Sequence, residues 1–327
     1  MIFPDDYKDR IKRINERLMD SLNVMEDQRL KAAMSHYPSA GGKRLRPLLA
    51  TMVSEAVGGK ADAALPFGVA LEMVHNFTLV HDDVMDEDDT RRGIKTVHSA
   101  FGIPEAILAG DAMFARAFEI ALESDIEDAR AIMLVEILAR AVRLLAEGQQ
   151  MDMDFENMDS VSSDEYLKMI ERKTAVLYSA AAQGGAIAGG GTEAHQEALF
   201  EYGRLIGLGF QIMDDVLDLT STQEAFGKPV LNDIRNGKKT LIAVHALENL
   251  KGSQRDEFLA VLGKKDATES ELVRAKEILE GIGAIDHASR IANEFVAKAK
   301  DQLSVLKDSD HKNALKTFAD YMVLRKT

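Results

Sequence analysis

Apolar residues recur along this chain at intervals of three and four, the period of helices, far more than at the interval of two that marks strands. Ile11, Ile14, Leu18, Leu22 and Met25 form one such stripe within residues 5–35, which read as an opening amphipathic helix or pair of helices. Pro38, Gly41 and Gly42 then break the pattern, and Pro47 suits the first turn of the next helix. A helix is expected over 61–84, with Leu71, Val74, Thr78 and Met85 close to one face. Another is expected over 105–122, EAILAGDAMFARAFEIAL, so apolar and alanine-rich that it reads as buried and closely packed. Residues 126–150 give a further long helix ending at EGQQ, after which MDMDFENMDS reads as a loop or frayed end with Asp152 and Asp154 solvated. Asp164 is placed to cap the helix carrying YLKMIERKTAVLYSAAAQGGAIAGG, and residues 194–219 form the next. From 240 to 327 amphipathic helices are separated by Gly252, Gly263, Gly281 and Gly283, with no evident chemistry. The pattern predicts an all-α protein of about ten or more helices. No Gly/Ser-rich linker interrupts it, so residues 1–327 read as a single domain.

Composition narrows the partners. The 327 residues carry a formal net charge of −14, which argues against nucleic acid or an anionic membrane as the main partner. It also gives weight to each local cluster of positive charge. With no cysteine, disulfides, thiolate nucleophiles and cysteine-ligated zinc are excluded. The N-terminal segment MIFPDDYKDRIKRINERL lacks the apolar core of a signal peptide, and no apolar stretch of about 18 residues is free of charge. The expectation is a cytoplasmic protein with no membrane span.

The chemistry concentrates at the end of the 61–84 helix, in LVHDDVMDEDDTRRG. Asp82, Asp83 and Asp86 are an unfavourable way to finish a helix: like charges one turn apart repel, and carboxylates sit at the negative end of the macrodipole. An acidic run on its own is commonly a solvated helix end. Here it has a second copy: Asp214, Asp215 and Asp218 in GFQIMDDVLDLT repeat the D-D-x-x-D spacing after another apolar run. Two such clusters far apart in sequence suggest two helices facing each other across one cavity and gripping a hard divalent ion. Mg²⁺ suits them, because it takes one or two carboxylates and completes its octahedron with water or phosphate. An EF-hand fails, since a loop counted from Asp86 puts Val97 where the bidentate glutamate belongs and no glycine at the sixth position.

Basic residues supply the complementary half. Lys43, Arg44 and Arg46 sit in GGKRLRP, at a loop or helix start that favours an anion, although the P-loop spacing is absent. Arg91 and Arg92 follow the first aspartates, Lys173 and Thr174 interrupt an apolar helix face, and Lys228, Arg235, Lys238 and Lys239 cluster in a loop after the second aspartates. Such a loop beside a metal site acts as a lid. Metal ions with arginine and lysine bind polyphosphate, and apolar helices can wall a hydrocarbon tunnel. A prenyl diphosphate has both parts.

These motifs, from GGKRLRP through LVHDDVMDEDDTRRG, KT and GFQIMDDVLD to GKPVLNDIRNGKKT, resemble the polyprenyl synthetase family of trans-isoprenyl diphosphate synthases, in order and spacing, over nearly the whole chain. The resemblance implies the isoprenoid synthase fold, a single large helical bundle around a central active-site cavity. It implies that Lys43, Arg46, His75 and Arg92 hold isopentenyl diphosphate. Asp82, Asp83 and Asp86, with Asp214, Asp215 and Asp218, would ligate Mg²⁺ (three ions, replaceable by Mn²⁺) on the allylic diphosphate. Arg91, Lys173, Lys228 and Lys238 would bind that diphosphate, and Thr174 and Gln211 would line the site where the cation forms. The partners implied are isopentenyl diphosphate and dimethylallyl, geranyl or farnesyl diphosphate, and a second copy of the chain as a homodimer. Phe77, five residues before Asp82, with the small Thr78 beside it, resembles the chain-length block of enzymes making the twenty-carbon geranylgeranyl product; farnesyl or longer products are the alternative. A class I terpene cyclase would carry a different second metal motif, and a non-catalytic regulatory subunit would lack one of the two. One departure stands out: the family often has glycine two residues before the aspartate of the lid loop, where this chain has Leu231.

Overall fold

The computed structural model describes residues 5–91, 93–156, 158–221 and 231–324. Helices dominate, and among the described residues the only ladder is a two-residue antiparallel one, Thr90–Arg91 (β1) with Ile94–Lys95 (β2). The chain divides into two compact units, the first formed by Met1–Val142, Leu177–Gly203 and Gln302–Phe318 and the second by Arg143–Val176, Arg204–Asp301 and Ala319–Thr327.

The first unit opens with α1 (Lys8–Asp20) and α2 (Gln28–Ser39), the pair suggested by the N-terminal stripe. Asp27 caps α2, accepting from the Leu30 N–H, and the helix runs through Pro38 to Ser39 before it breaks. α3 (Leu45–Ala56) begins at Arg44, a non-glycine residue at φ 48°. That conformation is strained for a bulky residue and persists only where the surroundings fix it. Three acceptors do so: the Arg44 guanidinium donates to Asn15, to the Pro38 carbonyl and, in a buried ion pair of 2.8 Å, to Glu72. Arg44 is thus structural, and its fixed backbone sets Lys43 and Arg46 on either side.

α4 (Ala61–Met85) is the core helix of this unit, packed along α3 and along α6 (Ile103–Ala121), with the short α5 (Val97–Phe101) between them. Among the described residues α4 alone is long and apolar enough to cross a membrane, but 72% of its apolar window is buried inside the fold, the condition of a core helix. Small residues of α9 (Val176–Ala188) allow the closest approaches; a side chain on Gly185 would sit 2.4 Å from the Ala50 carbonyl oxygen of α3. α6 departs from its expected full burial. It buries Ala106, Ala109, Met113, Ala117 and Ile120 but leaves Ile103, Ile107 and Leu108 exposed, together with Leu122 at its C-cap.

α7 (Asp128–Glu156) leaves the first unit at Val142 and corrects the expected end at EGQQ, continuing six residues further through MDMDFE. The second unit holds its last turns, then α8 (Ser163–Ile170), a π-helical turn (Glu171–Ala175) and the later part of α10 (Glu193–Thr220). The cap of α8 is Ser162, not Asp164. Its hydroxyl accepts from the Glu165 N–H while the Glu165 carboxylate takes the Ser162 N–H, a reciprocal box that Asp164, two residues further on and already helical, cannot make. The unit is completed by α11 (Asn232–Arg235), α12 (Leu241–Asn249), α13 (Gly252–Val261), α14 (Glu269–Gly281), α15 (Ala284–Gln302) and the last residues of α16 (Asp310–Leu324).

Candidate active site

In the first unit, the end of α4 sorts its aspartates by burial. Asp82 is half-buried and Asp86, at the C-cap, is exposed, while Asp83 is 0% exposed. The Asp83 carboxylate accepts from the Tyr37 hydroxyl and, at 2.6 Å, from Nε of Arg91, the last residue of β1. Burial pushes the Asp83 carboxyl up, against the pull of Arg91, and pushes the Tyr37 hydroxyl well above its ordinary range. Arg91 is therefore engaged by a carboxylate here, and Arg92 lies outside the described residues. Lys43 is exposed and His75 half-buried. Arg46 lays its guanidinium over the Tyr178 ring at 4.7 Å, and its buried Nε has no hydrogen-bond partner among the described residues. One and a half turns before Asp82, the Phe77 ring meets His81 and the Phe114 ring of α6 edge-on at centroid distances of 5.6 and 5.7 Å, and Phe118 continues the row. Thr78 is buried and donates to the His75 carbonyl of its own helix.

The second unit repeats the arrangement. Asp214 is half-buried, Asp218 is buried and accepts the Asp233 N–H, and Asp215 is buried on a tyrosine. Tyr166 of α8 donates to Asp215 at 2.6 Å, and Gln211, one turn earlier on α10, donates its amide to the other oxygen at 2.9 Å. The Gln211 carbonyl in turn accepts from the Thr174 hydroxyl, so one chain of hydrogen bonds runs from the π turn to the second aspartate motif. Burial pushes the Asp215 carboxyl up to about 7 and the Tyr166 hydroxyl well above its ordinary range.

The π turn is also where Lys173 emerges. Such turns are wider than α-helical ones and recur at functional sites. Lys173 Nζ donates to Asp152 Oδ2 at 2.5 Å, and Lys238, from the segment after α11, donates to the same oxygen at 3.1 Å and to Glu156 at 3.4 Å. Asp152 is 8% exposed, not solvated as its sequence context suggested. Although burial pushes its carboxyl up, the two lysines together hold it below the usual carboxylate range. Lys228 lies outside the described residues, as do all of residues 222–230.

Sequence reasoning singled out neither Tyr37 nor Tyr166 nor Asp152. Only Asp152 left a trace, because it continues the buried stripe Leu145, Gly148, Asp152, Phe155 at spacings of three and four. A carboxylate on the inward face of a helix needs a partner.

Among the described residues, no three carboxylate or imidazole groups are gathered as a ready-made metal site. The donor set suits Mg²⁺ nonetheless. The second aspartate of each motif is held by a tyrosine, and the other two carboxylates of each motif match the one or two that this ion takes when phosphate supplies the rest.

Comparison with known proteins agrees along the whole chain. The Polyprenyl synthetase family profile matches residues 27–279. The chain is 43% identical to the geranylgeranyl diphosphate synthase of Methanosarcina mazei over 325 residues, covering 99% of this chain and 98% of that protein. It is 37% identical to the geranylfarnesyl diphosphate synthase of Natronomonas pharaonis, covering 97% and 96%. The solved geranylgeranyl pyrophosphate synthetase of Pyrococcus horikoshii superposes with a TM-score of 0.93 at 40% identity, covering 98% of each chain. Fold and similarity together define a trans-prenyltransferase with the all-α isoprenoid synthase fold. The chain belongs to the polyprenyl synthetase family, as a short-chain trans-isoprenyl diphosphate synthase. Enzymes of this family use a divalent metal to ionise the diphosphate.

Proposed function

We propose that the chain condenses isopentenyl diphosphate with dimethylallyl, geranyl and farnesyl diphosphates and stops at geranylgeranyl diphosphate. Relatives of that name support the product, but relatives named for the longer geranylfarnesyl product are also similar over their full length. The observation that carries the choice is therefore internal: the Phe77 ring, braced by Phe114, stands one and a half turns before the first aspartates, where a growing tail would meet it.

In this reading the chain works as a single domain and both aspartate motifs serve the same reaction. Asp82 and Asp86, with Asp214 and Asp218, would hold Mg²⁺, three ions replaceable by Mn²⁺, while Asp83 and Asp215 brace the motifs from beneath. The bound metal supplies positive charge to the leaving diphosphate. Lys173 and Lys238 stabilise that same group as the allylic carbon–oxygen bond breaks. Arg46, whose buried Nε has no partner among the described residues, joins Lys43, His75 and Arg92 in holding isopentenyl diphosphate in line, so that its double bond attacks the allylic cation. Thr174 and Gln211, locked to each other, present fixed dipoles to that cation. A proton then leaves the new carbon skeleton for the departed diphosphate. Exclusion of water keeps the cation from being quenched.

A homodimer belongs to the same proposal, supported by the apolar residues that α6 leaves exposed, and so does a cytoplasmic location. The test is to incubate the purified protein with Mg²⁺, dimethylallyl and isopentenyl diphosphates and separate the products by chromatography. A twenty-carbon product is expected, lengthening in Phe77→Ala; unchanged length in that variant would remove Phe77 from the role.

A further inference from the structure

We infer that Asp152 is a positioning residue for the diphosphate: it gathers Lys173 and Lys238 onto one carboxylate oxygen and tempers their charge, so that inorganic pyrophosphate is released after bond formation. The inference rests on the reading of these two lysines as diphosphate ligands.

The geometry is unlike a structural ion pair. Glu147 also takes two cations, Arg143 and Arg172, but on separate oxygens, whereas here two ammonium groups from different elements, the π turn and the segment after α11, converge on a single Oδ2. Each lysine side chain stays about a quarter exposed, at 27% and 24%, while the carboxylate beneath is buried. An ammonium has three donors, so the Lys173 bond to Asp152 leaves that side chain others with which to receive an anion. Beside Asp152, Arg172 pairs with Glu147 at 2.6 Å, and a side chain on Gly148 would lie 2.4 Å from the Lys173 backbone nitrogen. α7 thus presents Glu147, Gly148 and Asp152 together to the π turn and fixes where Lys173 emerges.

The charge follows from the count. Two lysines alone would offer the diphosphate two positive charges; with Asp152 between them the cradle is singly positive, and Glu156 on Lys238 reduces it further. A catalyst must stabilise the leaving group as the bond breaks and then let it go. Binding ground state and product more tightly lowers KM without raising turnover. A buried carboxylate under the lysines is a means to keep their geometry while weakening their hold.

The sign of the effect distinguishes this role from packing. In the full-length protein with Mg²⁺, Asp152→Asn keeps the shape and a hydrogen-bond acceptor but removes the charge. Inorganic pyrophosphate, followed by titration calorimetry, is expected to bind about tenfold tighter, equivalent to about 1.4 kcal/mol. KM for the allylic substrate should fall, kcat should fall with it, and KM for isopentenyl diphosphate should stay unchanged. Glu156→Gln, an exposed position that folding tolerates, should shift pyrophosphate affinity the same way by about two- to threefold, and decides the matter if the Asn variant does not fold. Pyrophosphate binding that is unchanged or weaker in the folded variants, or a KM change shared by both substrates, overturns the inference. A wild-type protein that neither binds pyrophosphate nor condenses the substrates would instead overturn the underlying reading of the lysines.

Discussion

Leu231 stands at φ 63°, in the left-handed region that glycine favours and branched side chains avoid, at the position where the family often has glycine. Its N–H donates to the Asp218 carbonyl at 3.0 Å, and two residues on the Asp233 N–H donates to the Asp218 side chain, so this backbone is tied directly to the second aspartate motif. The left-handed conformation costs about 1–2 kcal/mol for a residue with a Cβ. Burial of the leucine side chain, 7% exposed, contributes about 1.5–3 kcal/mol in return. The balance predicts an inverted order of substitutions. Leu231→Ala keeps the strain and loses the burial, and should destabilise by about 2–3 kcal/mol. Leu231→Gly loses the burial but relieves the strain, and should be about 1 kcal/mol less damaging, although glycine is ordinarily the worse replacement. Denaturant midpoints of the two variants check this, and an alanine variant at least as stable as the glycine one refutes it. At this scale the sequence was legible in kind but not in role. Two D-D-x-x-D runs announced carboxylate chemistry, yet nothing local separated Asp83 from Asp82 or Asp215 from Asp214. The separation is made by Tyr37 and Tyr166, which lie 46 and 49 residues away along the chain.

Helix periodicity located α4, α6 and α10 to within two residues, because each carries a long apolar stripe whose burial fixes its extent. It missed the last turns of α7 and the π turn for a shared reason. MDMDFE looks like a frayed end only until Lys173 and Lys238 arrive to pair Asp152, and the widened turn at Glu171–Ala175 exists within an uninterrupted helical run from Ser163 to Ala188, leaving the apolar pattern almost undisturbed. Both features depend on tertiary partners that a local pattern cannot contain. Gly148 is the hinge of that contact. A methyl group there would meet the Lys173 nitrogen at 2.4 Å and the Arg172 carbonyl carbon at 2.8 Å, backbone atoms that cannot swing aside. Gly148→Ala should therefore push the π turn away from α7 and displace Lys173 and Thr174 together. Because misplacement of about 1 Å lowers rates on the order of a hundredfold, kcat should fall by that order while α7 stays helical. Gly281→Ala, where nothing lies within 4 Å of the added methyl, is the matching control and should leave the rate unchanged. Steady-state kinetics with circular dichroism on both variants tests the pair; an active Gly148→Ala enzyme would show that the close approach is dispensable.

For the molecule as a whole, the strongest unmet demand is apolar. Along α6, Ile103, Ile107, Phe114 and Leu122 recur at helical spacing and remain exposed, with Leu108 beside them at 57%, and Ile132 and Met133 of α7 are exposed in the same unit. Single exposed apolar residues are ordinary, whereas a contiguous set marks a contact surface. Against association stands the net charge of −14 on each copy, a repulsion that salt screens over a Debye length of about 8 Å at physiological ionic strength. If α6 is the contact, the two terms act in opposite directions on the same equilibrium. A dimer held by apolar burial between two acidic chains should tighten as ionic strength rises, whereas one held by cross-copy ion pairs should loosen. Leu108→Glu places a charge in the middle of the apolar set and should shift sedimentation from the dimer to the monomer, most completely at low salt. Because Phe114 belongs both to this exposed set and to the stack that braces Phe77, dissociation should also loosen the proposed chain-length block, and the monomeric variant should release some products longer than twenty carbons. Sedimentation velocity across a salt series, with product chromatography on the same samples, measures both. A wild-type monomer at every salt concentration would remove α6 as an interface, and a monomeric variant with unaltered products would separate the interface from control of length.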